Sequence, residues 1–165
     1  MYRAASILVP VDFSDTSNAA ISVALQMADR SEAKVYFLHV DPTLGADMDT
    51  LLSESGSTGP IATQIADREA AIQRDIDLEL ERAASAGHPL RSTTHQLIIS
   101  GGDWVDVSLA LIEEHHIELV VAATHGGEKG SLMGLIQGSS TERLVRKAPC
   151  SVFVVRAEGF PYLKD

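Results

Sequence analysis

Between Gly126 and Thr141 the chain reads GGEKGSLMGLIQGSST, with glycine at 126, 127, 130, 134 and 138 and hydroxyls at Ser139, Ser140 and Thr141. Glycines at this density leave backbone N–H groups uncovered, and the hydroxyl cluster stands where a helix would begin. A helix N-terminus carries partial positive charge, so loop and helix start together can cradle an anion such as a phosphate. The plain alternative is a surface loop followed by an ordinary serine N-cap. Other chemistry is harder to place. Glu113, Glu114, His115 and His116 are consecutive and cannot all converge on one metal from a helix, and HExxH is absent, so no metal site is expected. Neither Ser139 nor Cys150 has an evident base, there is no GxSxG elbow, and His39 reads as a half-buried strand histidine. No Walker A spacing exists, and no GxGxxG follows the first strand. No catalytic residue is assigned.

The anion loop needs elements to hold it, and the periodicity supplies them. Ile7 to Val11 is an apolar run ending in Asp12, and Lys34 to Val40 is rich in β-branched and aromatic residues. Arg91 to Ile99, Leu119 to Ala123 and Ser151 to Arg156 complete a set of five predicted strands. Between them, Thr16 to Asp29 reads as a helix capped by Ser14 or Asp15, with Ile21, Leu25 and Ala28 on one face. A long helix starts at Pro60, with Ile61, Ile65, Ile72, Ile76 and Leu80 in one stripe and its charged residues solvated. Asp103 caps Trp104 to Glu114, where Val105, Leu109 and Ile112 share a side. Ser139 to Lys147 is a short last helix. Residues 43 to 60 are crowded with Gly, Ser and Asp and read as a mobile surface loop, and 158 to 165 as a peripheral tail.

Strands alternating with helices predict a single α/β domain with a parallel sheet covered on both faces. Ligands bind such sheets beyond the carboxyl ends of the strands, where strand order reverses. Asp12, Gly101 and the glycine loop all follow strand ends, so the fold would bring them to one edge. The 165 residues, 45% of them hydrophobic, suffice for one core, and no run is long enough to span a membrane. A formal net charge of −10 argues against a nucleic-acid partner. With no export signal evident, the cytoplasm is the expected location. The lone Cys150 has no disulfide partner and is expected to be a small buried or half-buried residue.

Taken in order, ILVPVDFSDTSNAA, FLHV, VVAATHGG and GSSTERLVRKAPCSVFVVR resemble segments of the universal stress protein family across nearly the whole chain. The resemblance implies residues 1–157 as one domain of the adenine-nucleotide alpha-hydrolase-like fold, with five parallel strands and flanking helices. It also implies a homodimer through the last strand, Ser151 to Val155, which would cover an exposed sheet edge.

ATP-binding members of the family resemble one another in a pattern of Gly, two residues, Gly, nine residues, then Gly with Ser or Thr. Here Ala123 takes the first glycine's place, Thr124 and His125 precede Gly126, and eleven residues separate Gly126 from Gly138, two more than the pattern. If the first glycine serves a positive φ, alanine is strained there by about 1 kcal/mol; if it need only be small, alanine serves. Carried over residue by residue, the resemblance puts Pro10, Val11 and Asp12 at the adenine and ribose end and packs Val40 on the base. Ala123, His125, Gly126, Gly138, Ser139 and Ser140 then surround the phosphates. The implied ligand is ATP or a related adenine nucleotide, with or without Mg²⁺, and the implied role is regulation in a stress response, not turnover. Two alternatives stand beside it: a stress-linked interaction protein without nucleotide, and a slow ATPase or self-phosphorylating protein modified at Ser139, Ser140 or Thr141.

Overall fold

The computed structural model describes residues 3–41, 60–90, 95–124 and 140–156. Their elements run β1 (Ser6–Pro10), α1 (Asp15–Ser31), β2 (Lys34–Val40), α2 (Pro60–Ser85), β3 (His95–Ser100), α3 (Trp104–Glu114), β4 (Leu119–Thr124), α4 (Ser140–Lys147) and β5 (Ser151–Arg156). The five strands form one sheet in the order β3-β2-β1-β4-β5. Every pairing is parallel: Ile7 lies beside Val35 on one side and Leu119 on the other, and Val120 beside Val152. The expected five-stranded parallel sheet with helices on both faces is therefore the fold.

Strand side chains alternate between faces, and both faces are apolar because both are covered. Ile7, Val9, Val35, Phe37 and Val121 point to the layer holding Ile21 and Leu25 of α1 and Ile72 and Ile76 of α2. Leu8, Tyr36, Leu38, Val120 and Ala122 point the other way, onto Val105 and Ile112 of α3 and Leu144 of α4. Phe37, Leu38, Ile72, Ile76 and Leu144 are among the largest fully enclosed side chains, so each layer has its own anchors. The long helix buries the middle of its expected stripe. Ile65 is only half-buried, and the side chain of Ile61 lies outside the described residues.

Sequence expectations shift slightly at the ends. β1 closes at Pro10, although the Val11 N–H still donates to the Leu38 carbonyl at 2.7 Å, so the ladder continues one bond further. Ser14 is the α1 N-cap, its hydroxyl accepting from the Ser17 N–H, and Asp15 occupies the first turn, where its charge suits the helix dipole. On α3 the buried side is Val105, Ser108, Leu111 and Ile112, with Leu109 half-buried, a rotation of the expected stripe. β3 begins at His95, residues 91–94 lying outside the described ones. The expected loop at 43–60 also falls outside them except for Pro60, which opens α2.

Candidate functional site

Strand order determines where a site can form. From β1 the chain moves outward to β2 and β3, then returns to the opposite side of β1 for β4 and β5. The two connections leave β1 and β4 in opposite directions, opening a crevice above their carboxyl ends. A cavity of about 310 Å³ lies there, within the range of small-molecule sites. Pro10, Val11 and Asp12 reach it from the end of β1, and Leu38 and Val40 from β2. Ala122, Ala123 and Thr124 come from β4, Ser140 and Thr141 from the start of α4, Trp104 from α3 and Ser17 from α1.

Of the ten residues expected at the site, Pro10, Val11, Asp12, Val40, Ala123 and Ser140 line this one cavity. His125, Gly126, Gly138 and Ser139 lie outside the described residues. Ala123 has an ordinary strand conformation, paired with Val155, and is not among the described residues with positive φ. Alanine is therefore unstrained there, which leaves only the bulk of one methyl to consider.

Asp12 closes a local turn. One carboxylate oxygen accepts the Ser14 N–H at 3.1 Å and its hydroxyl at 2.6 Å, an Asx turn that leads into α1. Between them, Phe13 takes φ 63, a left-handed conformation that costs a non-glycine residue about 1–2 kcal/mol. On the far wall, the Thr141 hydroxyl donates to the Ala123 carbonyl at 3.4 Å and ties the first turn of α4 to the end of β4. Trp104 begins α3 after the turn at Gly101 and Gly102. Gly102 has φ +103, which its lack of a Cβ permits.

The α3 and α4 starts are joined. The Asp103 carboxylate caps α3 by accepting from the Val105 and Asp106 N–H groups at 3.0 and 3.1 Å, and it pairs with the Arg143 guanidinium of α4. Desolvation alone would raise the Asp103 pKa, but the two backbone hydrogen bonds and the adjacent Arg143 outweigh it, and the carboxyl is held below its usual range. The cavity thus combines apolar walls with hydroxyls, a carboxylate and a helix start.

Six lining residues escaped the expectation: Ser17, Leu38, Trp104, Ala122, Thr124 and Thr141. Strand parity could have found one of them, since Leu38 shares a face with the expected Val40, whereas Ala122 and Thr124 have the opposite parity to the expected Ala123. Trp104 was legible only as a helix start after a strand end. In the Glu113 to His116 run, His115 stacks on Tyr36 at 4.8 Å; among the described residues no group of three His, Cys, Asp or Glu side chains is placed to hold a metal.

The sequence profile described as the universal stress protein family matches residues 3–156. Over 150 residues the chain is 27% identical to universal stress protein A of Escherichia coli K12, covering 90% of this chain and 92% of that protein, and it matches the Salmonella typhi protein equally well. Among solved structures, UspA from Lactobacillus plantarum is 28% identical with a TM-score of 0.59, covering 94% of this chain and all of that one. A universal stress protein in complex with cAMP shares the fold at 19% identity and a TM-score of 0.59, covering 94% and 98%.

Proposed function

The chain belongs to the universal stress protein family, and we propose that it acts there as a regulator that binds an adenine nucleotide, ATP first, in the cavity above β1 and β4. The observation that carries this reading is the convergence of Pro10, Val11, Asp12, Val40, Ala123 and Ser140, spread over four elements, on one crevice at the strand-order reversal. In this arrangement Val40 and Trp104 pack against the base and Asp12 accepts hydrogen bonds from the ribose. The first turn of α4, with the Ser140 and Thr141 hydroxyls and the helix N-terminus, faces the phosphates. His125, Gly126, Gly138 and Ser139 complete the phosphate side, as the family resemblance implies, and Mg²⁺ accompanies the triphosphate. The relative solved with cAMP supports testing a cyclic mononucleotide alongside ATP.

The role is binding, not turnover, and the signal leaves through a homodimer in the cytoplasm. The dimer forms along β5, an edge strand with one described neighbour and an exposed Val154. A second reading, an interaction protein without nucleotide, is favoured by one observation: the Asp12 carboxylate is already engaged by Ser14.

Calorimetric titration of the nucleotide-free protein with ATP and Mg²⁺, and separately with cAMP, decides between them. Micromolar binding with a matching rise in Tm supports the first reading. Absence of heat and of any Tm shift at millimolar concentrations of both supports the second. Sedimentation of Val154→Lys tests the dimer: dissociation is expected, and a dimer unchanged from wild type places the interface elsewhere.

A further inference from the structure

The turn that presents Val11 and Asp12 to the cavity is held from behind by three residues that do not line it. His39 of β2 is buried, with its Nδ1 at 2.9 Å from the Val11 carbonyl oxygen. A carbonyl can only accept, so Nδ1 carries the proton. The imidazole also packs against the Phe13 ring at a centroid distance of 4.6 Å. Arg68 reaches this ring from α2, its guanidinium carbon 5.9 Å from the Phe13 centroid. The same guanidinium pairs at 3.3 Å with Asp41, a buried carboxylate whose own N–H is fixed to the Ser100 carbonyl at 2.8 Å. Phe13 sits in a left-handed backbone conformation that an L side chain adopts only when its surroundings hold it there.

We infer that His39, Arg68 and Asp41 form a clamp that sets the Phe13 turn and thereby positions Val11 and Asp12 at the cavity; they are positioning residues, not ligand contacts. Phe13 is the handle, contacted by the imidazole from β2 and the guanidinium from α2. With the handle held, the Asp12 carboxylate keeps its Asx geometry and the Val11 carbonyl its direction. The clamp also ties the cavity to α2, a helix that contributes no lining residue among the described ones, so a change at Arg68 alters the site from outside that lining. For its effect on affinity the clamp rests on the nucleotide reading above; for its effect on the turn it does not.

The test uses the full chain with paired variants. His39→Asn retains an N–H donor near Nδ1 and loses the ring, while His39→Phe retains a ring and loses the donor. Arg68→Lys retains the charge on Asp41, and Arg68→Met removes it. In the ligand-free protein, imidazole ¹⁵N shifts are expected to show His39 as the Nδ1–H tautomer, and Arg68→Met to move the Ser14 amide resonance. In ATP titrations, His39→Phe and Arg68→Met are each expected to weaken binding by about three- to tenfold, the scale of one hydrogen bond or partly buried contact. Arg68→Lys restores most of that loss, and His39→Asn binds more tightly than His39→Phe. An Nε2–H tautomer, or a Ser14 amide unmoved in Arg68→Met, overturns the inference. So does an Arg68→Met protein that loses Tm but binds ATP like wild type, because the residue would then serve the fold alone. If wild type binds no nucleotide, the functional reading falls while the ligand-free spectra still decide the clamp.

Discussion

Removing the Asp103 carboxylate should loosen two helices at once. In Asp103→Ala, the Val105 and Asp106 N–H groups lose their acceptor and Arg143 loses its partner. Loss of an N-cap costs about 1 kcal/mol, with a range of roughly 0.5–2. The ion pair adds little, at most about 1 kcal/mol, because both side chains are more than a third exposed and solvent screens them. The sum is about 1–2 kcal/mol, or a Tm lower by about 2–8 °C for a domain of this size. Asp103→Asn separates the two contributions, because asparagine caps nearly as well as aspartate but cannot pair with Arg143.

The pH dependence has a definite sign. The Asp103 pKa is lowered in the folded state, so the unfolded chain takes up the proton first as acid is added. Its contribution is complete above the ordinary carboxylate range and is lost as pH falls through the lower folded value. Denaturant unfolding of wild type, Asp103→Ala and Asp103→Asn at pH 7 and at about pH 3 reads all of this. The wild-type advantage over Asp103→Ala should shrink at the lower pH. A destabilisation under about 0.3 kcal/mol at pH 7, or an advantage that grows in acid, would refute the capping argument.

Three further outcomes are expected. Asp12→Ala should weaken ATP binding at least about tenfold, while losing its Ser14 bonds lowers Tm by only a few degrees; calorimetry and a thermal melt read the two effects. Leu144→Ala, at a fully buried position, should cost about 2–5 kcal/mol in denaturant unfolding and weaken nucleotide binding through displacement of α4. Burial pushes the Cys150 thiol above its ordinary pKa, so at pH 8 iodoacetamide should label it more slowly than a free cysteine peptide; equal rates would contradict that environment.

Much of this architecture was legible because its signals are local. β2, α3 and β5 were bounded to the residue by apolar runs, the Asp103 cap and the Pro149 break. Pro10, Val11 and Asp12 were assigned together through the family resemblance, with Asp12 also marked by its place at the end of an apolar strand run. What escaped depends on tertiary geometry. Trp104, Ser17 and Thr141 enter the cavity through the angles at which three helices meet the sheet, and no spacing within one segment encodes those angles. The His39–Phe13–Arg68–Asp41 cluster joins residues from the β1–α1 turn, from β2 and its end, and from a helix 27 positions beyond Asp41. Sequence showed His39 only as a half-buried strand histidine, whereas it is buried, and its partner is a backbone carbonyl that no residue type advertises. The Phe13 conformation was equally hidden, since left-handed backbone is usually signalled by glycine or asparagine.

The chain has a single tryptophan, and it lines the cavity, so intrinsic fluorescence reports on that cavity directly. Titration of the nucleotide-free protein with ATP and Mg²⁺ should change Trp104 emission saturably, with the same dissociation constant as the calorimetric heat. Asp12→Ala should shift both curves together to higher concentration. Heat of binding with no change at Trp104, or a fluorescence curve unaffected by Asp12→Ala, would place the nucleotide elsewhere and contradict the central claim.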